Sequence, residues 1–158
     1  MPFHQTFIDA FDRRIRNAAR ITAGEKPLEA GEKEVYEEGK ANVQYVVTTL
    51  EDMRKTFVTE AWASLKQDDS EISKLVTHEI FASSDGKIDI EKLLLFAILH
   101  CAGNNTRKSE AMYCVFQYGG QQKQAFLTAN DKDIAPAIEN LMKLVTYDLT
   151  VLMRDVSG

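Results

Sequence analysis

The residues best placed to do chemistry lie in SSDGKID, Ser83 to Asp89. Ser83, Asp85 and Asp89 offer side-chain oxygens at alternating positions around Gly86. Hard divalent cations are held by oxygen donors of this kind, presented from a short loop that turns sharply at a glycine. Asp85 and Asp89 are therefore the candidate metal ligands of the chain. They are weak candidates, because two carboxylates supply little of the charge and few of the donors that a dehydrated Ca²⁺ requires.

Other chemistry has less support. His4, His78 and His100 are the only histidines, and Cys101 and Cys114 the only cysteines. Their spacing matches neither the C-x-x-C nor the H-x-x-x-H style of zinc pairing. His100 and Cys101 adjoin, and neighbours on a helix diverge by about 100°, so adjacency alone makes no nucleophile and base. Gly119-Gly120 lacks the Lys-Ser/Thr of a phosphate-binding loop, and no nucleophile elbow or dinucleotide fingerprint is present. The expectation is a protein without catalytic residues, cofactor or bound metal.

The bulk properties agree. The chain has 158 residues, enough for one substantial core, with 44% hydrophobic and 27% charged residues. A net charge of -5 argues against nucleic acid as a partner. The two cysteines read as free thiols in a reducing compartment rather than a disulfide framework. No apolar run approaches the roughly 18 residues of a membrane span. MPFHQTF does not read as a signal peptide, Pro2 excludes a myristoyl acceptor, and a cytoplasmic location is expected.

The elements that must carry these residues are helices. Phe3, Phe7, Phe11, Ile15 and Ala18 recur every three or four residues, with Arg13, Arg14, Arg16 and Arg20 on the other side. That basic face is expected to be solvated, although it could lie on an anionic membrane or a partner. After Gly24 and Pro27, the spacing of Tyr36, Gly39, Val43, Val46, Leu50, Met53 and Phe57 predicts one long helix from about Gly31 to Lys66, with Trp62 as a core anchor near its end. Ser70 is expected to cap the next helix, faced by Ile72, Leu75, Val76 and Ile80. A nearly all-apolar helix then covers about Asp89–Ala102, and Thr106 caps a helix through Met112, Val115 and Phe116. A polar loop from Gln117, a short extended piece at Ala125–Leu127 and a final helix follow. That helix is faced by Ile134, Ile138, Leu141, Val145, Leu149 and Leu152, with Pro136 tolerated in its first turn.

The order helix, loop, short extended piece, helix occurs twice, at about 70–102 and 106–145. In this order and in DGKIDIEKLLLF the C-terminal half resembles an EF-hand pair, as in calmodulin. The Asp-Gly turn also resembles that of tellurite-resistance-type helical domains. The EF-hand resemblance implies that Gly86 supplies the turn and Ile88 the residue of a two-stranded ribbon, here expected to pair with the piece ending at Leu127. With Gly86 in the sixth loop position, Phe81 falls in the first and Lys92 in the twelfth, where a calcium loop needs oxygen ligands. The second loop, Gln117–Gln124, has no carboxylate. The loops are expected to be degenerate.

The expectation is thus an all-α helical bundle with an EF-hand-like helix-loop-helix pair and at most a tiny ribbon. Residues 1–66 would form an amphipathic helix and a long helix packed on an EF-hand-like region, 67–158, in one compact unit. Its function would be calcium-independent protein binding, with an amphipathic helix as partner. The resemblance to calmodulin implies a Met- and aromatic-lined groove, for which Met112, Phe116, Met142 and Met153 are the candidates. The alternatives are a calcium-responsive sensor, or an unrelated bundle that meets a membrane or large assembly through Arg13, Arg14 and Arg16.

Overall fold

A computed structural model describes residues 4–29, 46–100, 103–119 and 134–157. The chain is mostly α-helical, with a two-stranded antiparallel ribbon. Helix α1 spans His4–Thr22 and turns its apolar stripe inward, with Phe11, Ile15, Ala18 and Ala19 all buried. It ends at Gly24, whose φ of 83° is the left-handed conformation that closes a helix without steric cost. The Asn17 amide then clasps the outgoing chain, donating to the Leu28 carbonyl at 3.0 Å and accepting its N–H at 3.1 Å.

The long helix expected over 31–66 is not formed in its described part. Val47–Thr48 is a strand, β1, and α2 is only Leu50–Thr56, followed by a 3-10 turn over Glu60–Lys66. The run Val46-Val47-Thr48-Thr49 explains the break. Four consecutive β-branched residues are restricted at χ1 and suit an extended chain better than a helix interior. Thr49 then caps α2 by accepting the Asp52 N–H at 3.2 Å. Residues 31–45, including Tyr36, Gly39 and Val43 of the expected seam, lie outside the described residues.

Strand β1 pairs with β2, Ile88–Asp89, in the register Thr48↔Ile88 and Val47↔Asp89. The ribbon expected for Ile88 is therefore present, but its partner comes from residues 47–48 and not from the segment ending at Leu127, which lies outside the described residues. Between α2 and β2 lies α3, Glu71–Val76, capped by Ser70 as expected, its hydroxyl accepting the Ser73 N–H at 3.2 Å. Helix α4, Ile90–His100, is the central element, with Ile90, Leu93, Leu94, Leu95 and Ile98 buried. Helix α5, Asn105–Gly119, packs against it and runs through the start of the expected polar loop. Its cap is Asn104, which accepts the Arg107 N–H at 2.9 Å, and not Thr106.

The C-terminal rod consists of α6, Ile134–Lys143, a π-helical stretch Leu144–Asp148, and α7, Leu149–Ser157. Pro136 sits in its first turn, as expected. Leu144, Asp148 and Leu152 form the inward face, whereas Ile138 is 47% exposed. The expected inward position of Ile138 is thus corrected. Wider turns at 144–148 change the phase along the rod, so one straight-helix periodicity cannot describe both ends.

Phe11, Phe57 and Trp62 meet with ring centroids 4.9 to 5.7 Å apart and join α1, α2 and the 3-10 turn. Trp62 is the core anchor expected of it, at 8% exposure. Phe57 is more completely enclosed, and removing it would leave a cavity that the surrounding helices cannot close. Phe57→Ala is expected to cost about 3–5 kcal/mol in urea unfolding monitored by Trp62 fluorescence. A cost under about 1 kcal/mol would show that this trio is not packed as described.

Candidate functional site

The expected cation loop is folded onto its own ligands. Gly86 has φ 82°, so it does supply the sharp turn. A bridge between Ala82 and Ile88, with the Asp89 N–H donating to the Phe81 carbonyl at 2.7 Å, closes the loop as a narrow hairpin. Within it, Ser83 donates its hydroxyl to Asp85, and its backbone N–H reaches the Lys87 carbonyl at 2.9 Å. That carbonyl is the one a calcium loop would turn toward its ion in the seventh position. The Ser83 hydroxyl, with support from Lys87, holds the Asp85 carboxyl below its usual value. Asp89 caps α4 instead, accepting the Lys92 N–H at 3.0 Å.

A more heavily buried charge site lies beside this loop. The Lys92 ammonium crosses from α4 to the C-terminal rod and comes within 2.8 Å of Asp148 Oδ2. Asp148 is 4% exposed, on the inward face of the π stretch. Oδ2 has no aligned hydrogen bond, so Lys92 meets it as a close charge contact rather than along a hydrogen-bond direction. Lys143 stands 4.0 Å from Oδ1. A buried carboxylate is strongly unfavourable without a countercharge, and here one ammonium on another helix supplies most of it. The π-helical turn that carries Asp148 is the kind of irregularity that places one side chain out of helical phase.

Asp89, Glu91, Lys92, Leu95, Lys143 and Leu144 surround a cleft of about 160 Å³ at this junction. Burial, and then the neighbouring Asp89, push the Glu91 carboxyl up, while Arg16 on α1 opposes the shift. A third charge arrangement lies at the ribbon. Asp52 on α2 accepts the Thr22 hydroxyl at 2.8 Å and the Lys55 ammonium at 2.7 Å, and Thr22 also meets Thr48 at 3.0 Å. Burial alone would raise the Asp52 carboxyl, but Lys55, Thr22 and Thr49 outweigh it and hold it below the usual value. This network ties the end of α1 to β1 and α2.

The end of α7 has its own tie. His78, after α3, takes the Ile80 N–H on Nδ1 at 3.2 Å, which leaves Nε2 to carry the proton toward Asp155 at 2.9 Å. That bond, with Arg154, holds the Asp155 carboxyl low. His78 is thus a joint between elements, and no cluster of three metal-binding side chains occurs among the described residues.

The candidate partner residues are carried by two elements, α5 and the C-terminal rod. Met112 is half-buried against the core, while Met142 and Met153 are 57% and 58% exposed on the C-terminal rod. Phe116 lies in α5 and its side chain is outside the described residues. On α1, Arg13 is exposed, but Arg14 donates to the Ala10 carbonyl at 3.2 Å and Arg16 grips Asp12 at 2.9 and 3.0 Å. The expected arginine face is therefore partly folded onto its own helix. Sequence reasoning singled out Lys92 only as a misfit in the twelfth position and passed over Asp148. The available signal was an acid spaced four residues from both Leu144 and Leu152, on the stripe that the chain buries. No helix among the described residues is long and apolar enough to cross a membrane.

No protein-family model matches this sequence, and no curated protein or solved structure matches it either.

Two measurements test the site. Lys92→Met strands the Asp148 charge and is expected to cost about 3–5 kcal/mol in denaturant unfolding, whereas Lys92→Met with Asp148→Leu recovers most of the loss. Equal stability of the single and double variants would refute the pairing. Glu91 gives a pH signature of the opposite sign to a favourable ion pair. Its folded-state affinity for a proton is raised, so the folded protein binds more protons than the unfolded chain, and stability falls as pH rises through that window. Glu91→Gln is accordingly expected to raise the melting temperature at pH 7. The gain should vanish below about pH 4, where the carboxyl is neutral in both states.

Proposed function

We propose that this chain is a non-catalytic, calcium-independent protein-binding module built on an EF-hand-like helix-loop-helix pair. On this reading the hand formed by α3 and α4 takes its ribbon partner from the β1–α2 segment, through the Thr48–Ile88 contact, in place of the 106–145 segment expected from the sequence. Counting four residues on from each ribbon position reaches what would be the twelfth loop position, which is Asp52 after β1 and Lys92 after β2. Both already carry a partner from the chain itself. Asp52 is held by Lys55 and Thr22, and Lys92 brings its own cation to Asp148. Each twelfth-position side chain is thus occupied within the chain, and on this reading the helices are held without calcium.

The binding half of the reading is carried by the outward face of the C-terminal rod. Ile138, Met142, Tyr147 and Met153 are between 47% and 66% exposed there. Large apolar side chains gathered on one helix face favour a partner surface over isolated surface residues. Methionine and tyrosine suit such a role, because one adapts its shape and the other presents a broad ring with a polar tip.

Affinity capture from the source cell, with Met142→Glu and Tyr147→Glu combined, tests this face. The wild-type chain is expected to retain partners in the presence of a calcium chelator, and the double variant to lose them by tenfold or more, as loss of central anchors implies. Micromolar heat of calcium binding in calorimetry, or unchanged capture by the double variant, would overturn the proposal.

A further inference from the structure

The outward face of the C-terminal rod carries more than exposed apolar side chains. Thr146 and Thr150 lie between them, and both hydroxyls turn back onto the helix, donating to Met142 O and Thr146 O at 2.7 Å each. Their hydrogen-bonding groups are thereby occupied within the rod, and what they add to the face is largely methyl. The result is an apolar ridge from Ile138 to Met153, about 23 Å long at the rise of a helix. A charge stands at each end. Glu139 is exposed near the start, and Arg154 is exposed near the end. Arg154 gives its Nε–H to Asp155 at 3.0 Å, and a guanidinium carries further N–H donors in the same plane.

We propose that this ridge docks a second copy of the chain, antiparallel about a two-fold axis passing between Thr146 and Tyr147. This rests on the protein-binding reading of the same face. The end charges select both the occupant and its direction. In the antiparallel pairing the midpoint of Glu139 and Arg154 falls on the axis, so Glu139 of one copy meets Arg154 of the other at both ends. A parallel pairing would set Glu139 against Glu139 and Arg154 against Arg154. Like charges facing one another across an apolar seam are repulsive and opposite charges fix register, so the face is self-complementary in one direction only. In the antiparallel arrangement Tyr147 of each copy lies at the centre, over Thr146 of the other. Broad, low-entropy aromatic side chains at the middle of an interface supply most of its binding energy.

The test is light scattering on the full chain over roughly 1 to 200 µM, the range in which an interface of one helix pair associates. The mass is expected to rise from 17.8 kDa toward twice that value. Glu139→Arg and Arg154→Glu should each weaken association about tenfold or more, because each sets two like-charged pairs at the ends of the seam. The double variant should restore it. Both positions are exposed, and circular dichroism on each variant checks that the helices are intact. A chain that stays monomeric over this range overturns the proposal, as does a double variant no better than the singles. A monomer that still captures another protein through Met142 and Tyr147 refutes self-association alone. A monomer that captures nothing through that face refutes the binding reading as well.

Discussion

Everything in the N-terminal two thirds of the described structure depends on one contact, Thr48 against Ile88. Both residues are fully buried, and their strands join the segment that leads into α2 to the segment that leads into α4. A ribbon this short has little stability of its own. It persists because α1, α2 and α4 bury apolar side chains around it, and because the buried Thr48 hydroxyl donates to Thr22, whose own proton goes to Asp52. The ribbon in turn fixes where α4 begins, since Ile90 N donates to Val46 O at 3.1 Å directly after β2. The direction of the most buried helix is thereby set from the other strand.

From that start, α4 delivers Lys92 to the C-terminal rod. The Lys92–Asp148 pair is physically different from the surface pairs elsewhere, such as Arg16 with Asp12, which are partly solvated and worth little. A pair with one fully enclosed member contributes modestly to net stability, because desolvation offsets attraction, yet it punishes any packing that separates its members. Its role is to select one position of the rod against α4. His78 with Asp155 adds a second fixed point further along. Held at two places on its inner side, the rod leaves Ile138, Met142, Tyr147 and Met153 exposed on the other.

Much of the class and several local features were legible in the residues. The stripe of α1, the all-round apolar character of α4, the Ser70 cap, the turn at Gly86 and the burial of Trp62 each follow from short-range rules of period, propensity and backbone freedom. The long helix expected through 47–49 was not formed, although its warning was present. Val46-Val47-Thr48-Thr49 has the composition of a strand, but Val46 also continues through Leu50, Met53 and Phe57 at the three-and-four spacing of a helix. Such a conflict is decided by whether another extended segment lies alongside, and Ile88 is forty residues away.

The sequence by itself determined the helical class, where α1, α3 and α4 turn their apolar sides, and the sharp turn at Gly86 in the Ser83–Asp89 loop. These depend on residues within a few turns of one another, whose interactions are the same in any fold. Only the tertiary structure decided which strand pairs with Ile88, where Lys92 finds its countercharge, and which side of the C-terminal rod faces outward. Those outcomes depend on groups brought together from distant parts of the chain. They also depend on a π-helical turn whose phase change no regular period records.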